Sequence, residues 1–147
     1  MIALLVALSI LQGPVRVVDG DTLVVSGQRV RLDGIDAPET RQLCHRGGEE
    51  WRCGIASANA LRALIGPRMV RCEVTGTDRY RRSIATCWSA TTNLNEEMVR
   101  QGWAMAYHHY STRYVSVEEE AKGRKAGIWA SEFQMPWEWR ISKIPLN

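Results

Sequence analysis

The chain has 147 residues, 45% hydrophobic and 24% charged, which fits one compact domain with a real core and calls for no second one. Its net charge of +3 and pI of about 8.8 favour anionic partners only weakly, too weakly to identify one. The distribution of charge says more: nearly all the cations are arginines, and Arg79, Arg81 and Arg82 crowd around Tyr80. Arginine offers phosphate a flat, two-pronged donor fork, whereas a solvated turn accounts for the same cluster about equally well on charge alone.

In chain order, the first stretch is MIALLVALSIL, too short to span a bilayer, which needs about 20 apolar residues. It reads as an atypical export segment over residues 1–12, although no Lys or Arg precedes it and no A-x-A site follows. A strand or helix packed on the domain is the alternative. Val15–Val18 and Leu23–Val25 are short β-branched runs around the turn Asp19-Gly20-Asp21-Thr22. Ser26-Gly27 makes a second turn, and Arg29–Ile35 alternates as a third strand, with Gly34 marking a bulge or a close backbone approach.

Beyond Pro38 lies a loop to about Gly48, and the spacing of Ile55, Ala58, Leu61 and Ile65 predicts a helix over Glu49–Ile65, stopped by Gly66-Pro67. Met69–Val74 and Ser83–Trp88 read as strands joined by the arginine-rich turn. Asn93–Gln101 is a short helix with a capping-box-like Glu96, Trp103–Tyr107 an extended stretch, and Ser111 caps a helix running to about Ala126. In the tail, Trp137 and Trp139 at period two suggest an aromatic strap docked on the domain. The organisation expected is an N-terminal segment 1–12, a domain over 13–135 and a Trp-containing tail over 136–147. The order of elements indicates an α+β fold, mainly a β barrel of the five-stranded OB type with three helices.

Four cysteines allow three pairings, and proximity favours Cys44–Cys53 and Cys72–Cys87. With no CxxC pair, disulfides are favoured over a zinc site that would include His45, and with the apolar leader they point to a secreted, periplasmic or otherwise extracytoplasmic protein.

Asp21 and Asp36 end a turn and a strand of one meander, which can bring them together, and facing carboxylates call for a cation, most naturally a hard divalent one. Taken singly, each is more often a turn or strand-terminating residue. Glu39 follows three residues after Asp36 in a backbone restricted by Pro38. Arg31 lies on the same strand, but strict alternation places Arg31 and Asp36 on opposite faces, so Gly34 or the bend before Pro38 has to reconcile them.

VVDGDTLVV, VRLDGIDAPET, TDRYRRSIATC, LNEEMVRQGWAMAY and the later GIW resemble the staphylococcal nuclease (thermonuclease) family, in order and spacing, from about Val15 to Trp129. The resemblance implies a calcium-dependent nuclease that hydrolyses phosphodiester bonds of DNA and RNA, single strands favoured. It implies Asp21, Asp36 and the backbone carbonyl of Ala37 as calcium ligands, and Glu39 as general base or water-orienting group. Arg31 and Arg82 are the implied stabilisers of a phosphorane-like transition state, while Arg79, Tyr80 and Tyr107 contact the neighbouring phosphate and nucleotide. Arg81 departs from the family pattern, which often has glycine there. It either strains or shifts the turn that carries Arg82, or adds a phosphate contact. A monomer without stable membrane insertion is expected. A non-catalytic single-strand-binding module has no use for the clustered acids, and an envelope structural protein leaves the whole constellation unexplained.

Overall fold

A computed structural model of the protein describes residues 9–108 and 111–146. The β-branched runs and their Gly and Asp turns build β1 (Ser9–Gly13), β2 (Val15–Asp19), β3 (Thr22–Val25), β4 (Gln28–Leu32) and β5 (Ile35–Asp36). A hairpin of β6 (Cys44–Arg46) and β7 (Glu49–Trp51) precedes helix α1 (Cys53–Ile65). Then come β8 (Val70–Thr77), β9 (Ser83–Ser89), β10 (Thr92–Asn93), α2 (Leu94–Arg100) and β11 (Met105–Ala106). Helix α3 (Val115–Gly123), a 3-10 turn at Gly127–Ala130 and α4 (Pro136–Ser142) complete the fold.

The main sheet runs β1-β8-β9-β4-β3-β2, with β10 attached to β9. Only β4 and β9 are parallel within it. The first and last strands of this order are consecutive in the chain and meet at Pro14, so the sheet has to curl back on itself. Ser26 ties that seam, donating its N–H to the Pro14 carbonyl at 2.9 Å and its hydroxyl to the Gln12 carbonyl at 3.1 Å. The result is an α+β structure dominated by a β barrel, as the element order predicts. Leu23, Val25, Val30, Leu32 and Ile35 fill it from the meander, Leu61 and Ile65 from α1, and Leu94 and Met98 from α2. Each such side chain contributes about 1.5–3 kcal/mol by leaving water.

Several boundaries differ from those expected. Residues 1–8 of the apolar segment lie outside the described residues, while Ser9–Gly13 pairs antiparallel with β8. The helix expected from Glu49 begins at Cys53, because Gly47-Gly48 turns a hairpin that draws Glu49–Trp51 into pairing with Cys44–Arg46. The third strand stops at Leu32, and Asp33-Gly34 turns the chain before β5. Helix α3 begins at Val115, four residues beyond Ser111, whose hydroxyl instead accepts the Arg113 N–H in a local turn. The tail docks as helix α4, not as an extended strap: Pro136 fits the first turn of a helix because it has no N–H to satisfy there. This adds a fourth helix to the three expected.

Both disulfides, Cys44–Cys53 and Cys72–Cys87, are formed as proximity predicts. The first belongs to a second, aromatic-rich core of Cys44, Cys53, Met105 and Ile128, against which Trp51, Trp103, Trp129 and Trp137 pack. His45 and Glu132 exchange backbone hydrogen bonds at 2.8 Å each, which fastens the chain after the 3-10 turn to the hairpin.

Candidate active site

The acids gather where the β2–β3 turn meets the chain leaving β4. Asp21 is pinned there by its backbone, its carbonyl accepting the Leu32 N–H at 2.8 Å. Its carboxylate accepts the Thr22 hydroxyl at 2.9 Å and the Ala37 N–H at 2.8 Å. Gly20 makes this approach possible, since a Cβ there would lie 1.9 Å from the Ser57 hydroxyl and 2.8 Å from the Ala37 methyl.

Gly34 resolves the face problem. Its φ of +78° belongs to the left-handed region, and an added Cβ would stand 3.0 Å from the Tyr114 ring. That turn breaks strict alternation and brings Asp36 back toward Arg31, whose guanidinium sits 3.4 Å from Asp36 and 2.8 Å from Asp21. The Asp21 contact is an ion pair rather than an aligned hydrogen bond. Asp21 and Asp36 are both buried, whereas the Glu39 side chain is 37% exposed at the rim.

Two residues that sequence reasoning passed over complete the corner. Asp19 stands beside Asp21 and accepts its N–H at 3.1 Å. Burial, reinforced by the neighbouring Asp21 charge, pushes Asp19 up to about 8. Asp21 feels burial even more, but Arg31 and the hydrogen bonds from Asp19, Ala37 and Thr22 outweigh it and hold Asp21 below the usual carboxylate range. The two neighbouring aspartates are therefore pushed apart, Asp19 upward and Asp21 downward. Asp36 is likewise pushed up to about 6 by burial, against the opposing pull of Arg140.

Arg140, on α4, is the second. Its Nη2 donates to Asp36 Oδ2 at 2.7 Å and its Nη1 to Asp36 Oδ1 at 3.0 Å, with Glu39 Oε1 at 3.4 Å from Nη1. Pro136 signalled the helix that delivers it, but nothing in linear spacing links Arg140 to a carboxylate 104 positions away.

The donor set is all oxygen and net negative: four carboxylates face two guanidiniums. That chemistry suits a hard divalent cation, and the upward push that burial and the Asp21 charge give Asp19 reflects how crowded with negative charge the corner is. Yet among the described residues no three acidic, His or Cys side chains are arranged to hold a metal as they stand. Arg31 and Arg140 occupy the space between them.

Arg82 is placed nearby but in separate company. In the parallel register Val30 faces Ser83 and Arg31 faces Ile84, so Arg82 immediately precedes the strand beside β4. Its Nε donates to Asp78 Oδ2 at 2.7 Å, and its guanidinium lies 5.5 Å from the Tyr80 ring centre. Asp78 organises the whole turn, its Oδ1 accepting the N–H groups of Tyr80 and Arg82. Arg81 adopts φ +63°, so the turn keeps the left-handed conformation with an arginine in it. Arg79 stacks on Tyr80 at 5.2 Å, and Tyr80 is 66% exposed. Tyr107 packs against Trp137, with ring centres 5.7 Å apart.

The family model described as "Staphylococcal nuclease homologue" matches residues 29–131. The succinoglycan biosynthesis protein ExoI of Rhizobium meliloti (strain 1021) is 36% identical over 136 residues, 90% of this chain and 71% of that protein. An uncharacterized endonuclease of Haemophilus influenzae is 37% identical, over 86% of this chain and 70% of its own length. The micrococcal nuclease of Shigella flexneri is 32% identical, over 86% and 78% respectively.

Proposed function

The chain belongs to the staphylococcal nuclease family, and from that premise we propose that it is a calcium-dependent nuclease hydrolysing phosphodiester bonds of DNA and RNA at the carboxylate corner. The observation that carries this reading is the convergence of buried Asp21 and Asp36 on Arg31, at 2.8 and 3.4 Å, with Glu39 at the open rim.

Asp21, Asp36 and the Ala37 carbonyl would hold calcium, which when bound would supply positive charge beside the phosphoryl group and acidify water. Glu39 is exposed enough at the rim to orient or deprotonate an attacking water. Arg31 is fixed by two carboxylates and presents its fork without reorganisation, where charge develops on the phosphoryl oxygens. Arg82 stands one strand away, held at Nε, and serves the same charge from the other side. Exposed Tyr80 offers a stacking face, with Arg79 and Arg81 beside it for the neighbouring phosphate and Tyr107 for the nucleotide. Single strands suit such a platform because their bases are free to stack. The two disulfides support an extracytoplasmic location, and among the described residues no helix is long and apolar enough to cross a membrane. A monomer is expected.

The purified protein should degrade single-stranded DNA and RNA with calcium and stop when a chelator is added, as followed by fragment size. Binding without cutting would overturn the enzymatic reading.

A further inference from the structure

Helix α4 is short, yet its position is fixed from several sides. Pro136 is buried, Trp137 packs on Tyr107, and the Gln42 side-chain amide donates to the Gln134 carbonyl at 2.7 Å just before the helix. These contacts aim Arg140 at the acids, where it takes both oxygens of Asp36 in a forked pair and reaches Glu39. Asp36 has no exposed surface, so it cannot turn to water for its counter-charge.

We infer that Arg140 is the resident cation of the corner: it neutralises Asp36 and Glu39 in the metal-free protein, and a divalent cation binds only in competition with it. The inference rests on the reading of this corner as a divalent-cation site. With all four acids counted as ionised and Arg140 in place, four carboxylates face two guanidiniums and the formal charge is −2. Without it, Arg31 alone remains and the charge is −3. A cation entering beside Asp36 meets the repulsion of a guanidinium only a few ångströms away, in a partly buried setting where screening is weak. It also has to share or replace the two oxygens that the guanidinium holds. By linkage, whatever the cation loses to Arg140, the docking of α4 loses to the cation.

Arg140 is thus a positioning residue, acting through Asp36 and Glu39. Calcium binding to wild type, R140Q and R140K is measured by titration calorimetry, and thermal denaturation is followed in chelator and in saturating calcium. R140Q should bind calcium about ten- to a hundredfold more tightly than wild type. R140K, which keeps the charge but not the fork, should fall between them. In chelator R140Q should melt below wild type, because Asp36 is left poorly paired, and saturating calcium should narrow that gap. A purely structural arginine would lower both melting curves equally, and that outcome overturns the inference, as does R140Q binding calcium no more tightly than wild type. Should R140Q fail to fold without calcium, recovery on adding calcium supports the inference. Should it fail in both conditions, R140K decides, since binding no tighter than wild type overturns it. If neither wild type nor R140Q binds calcium, the cation-site reading fails and takes this inference with it.

Discussion

In the carboxylate corner the acids are assembled before any ligand arrives. Asp21 and Asp36 are buried, and Arg31 and Arg140 already hold them. In the 78–82 turn Tyr80 is 66% exposed, while the half-buried Arg82 is held by Asp78 and a ring face. The corner concentrates charge by removing water, at the cost of crowding four carboxylates together. The turn exposes Arg79, Tyr80 and Arg81 and depends on one acid for its shape. Binding a small hard cation calls for the first kind of construction, and following a flexible polyanion calls for the second.

The largest expected effect separates the two regions by catalysis. Glu39→Gln or Arg31→Ala should leave a folded protein whose cleavage rate falls about a hundred- to a thousandfold, or about 3–4 kcal/mol. Steady-state assays on DNA with calcium check this, and wild-type rates in both variants would remove the corner from the chemistry altogether.

Acidity should divide them next, with opposite signs. Asp19 and Asp36 are raised to about 8 and about 6, so the folded corner keeps protons that the unfolded chain releases. Its contribution to metal-free stability therefore falls as pH rises from about 4 toward 8. Asp78 moves the other way: burial is the largest single influence and raises it, but the Arg82 and Tyr80 hydrogen bonds and the Arg82 charge together outweigh burial and lower it. Its contribution is present above the ordinary carboxylate range and is lost as pH drops through its lowered value. Denaturation in chelator should show stability declining from about pH 5 to about pH 8, with Asp19→Asn flattening the decline. Asp78→Asn should change only the acid limb. A wild-type profile that rises over the neutral range would contradict the crowding of the corner.

The smallest effect sharpens the account of the turn. Arg81 holds φ +63°, a conformation that costs a residue with a Cβ about 1–2 kcal/mol. Arg81→Gly should stabilise the protein by about 1 kcal/mol in urea unfolding, the gain being trimmed by the greater freedom of glycine in the unfolded chain. No gain would mean that Arg81 makes compensating interactions in the folded turn.

Local signals in the sequence carried the meander, the barrel strands and the disulfide pairing, because each depends on neighbours close along the chain. Thus Asp19-Gly20-Asp21-Thr22 announces its own turn, and Cys72 faces Cys87 directly in the β8–β9 register. The helix boundary at Cys53 was hidden because Glu49 and Glu50 are good helix formers, drawn into a hairpin by the Gly47-Gly48 turn and the pairing beside Cys44. At the site, Asp21, Arg31, Asp36 and Glu39 were legible as a constellation, whereas their convergence depends on the handedness of a single residue, Gly34. Arg140 could not be found from spacing: its partner lies 104 positions away, and Trp137 and Trp139 suggested an extended strap. Asp19 was visible only as a turn residue, since its significance comes from burial.

Strand β1 also acts as a cover. It occupies the outer edge of β8, whose eight residues would otherwise present an open row of backbone donors and acceptors flanked by Val70, Cys72 and Val74. An uncovered strand of that length and character is a template on which a second chain can pair. Proteolytic trimming that reached past Ser9 would therefore turn a closed barrel into one with a sticky seam. Solubility, more than catalysis, would register the loss first.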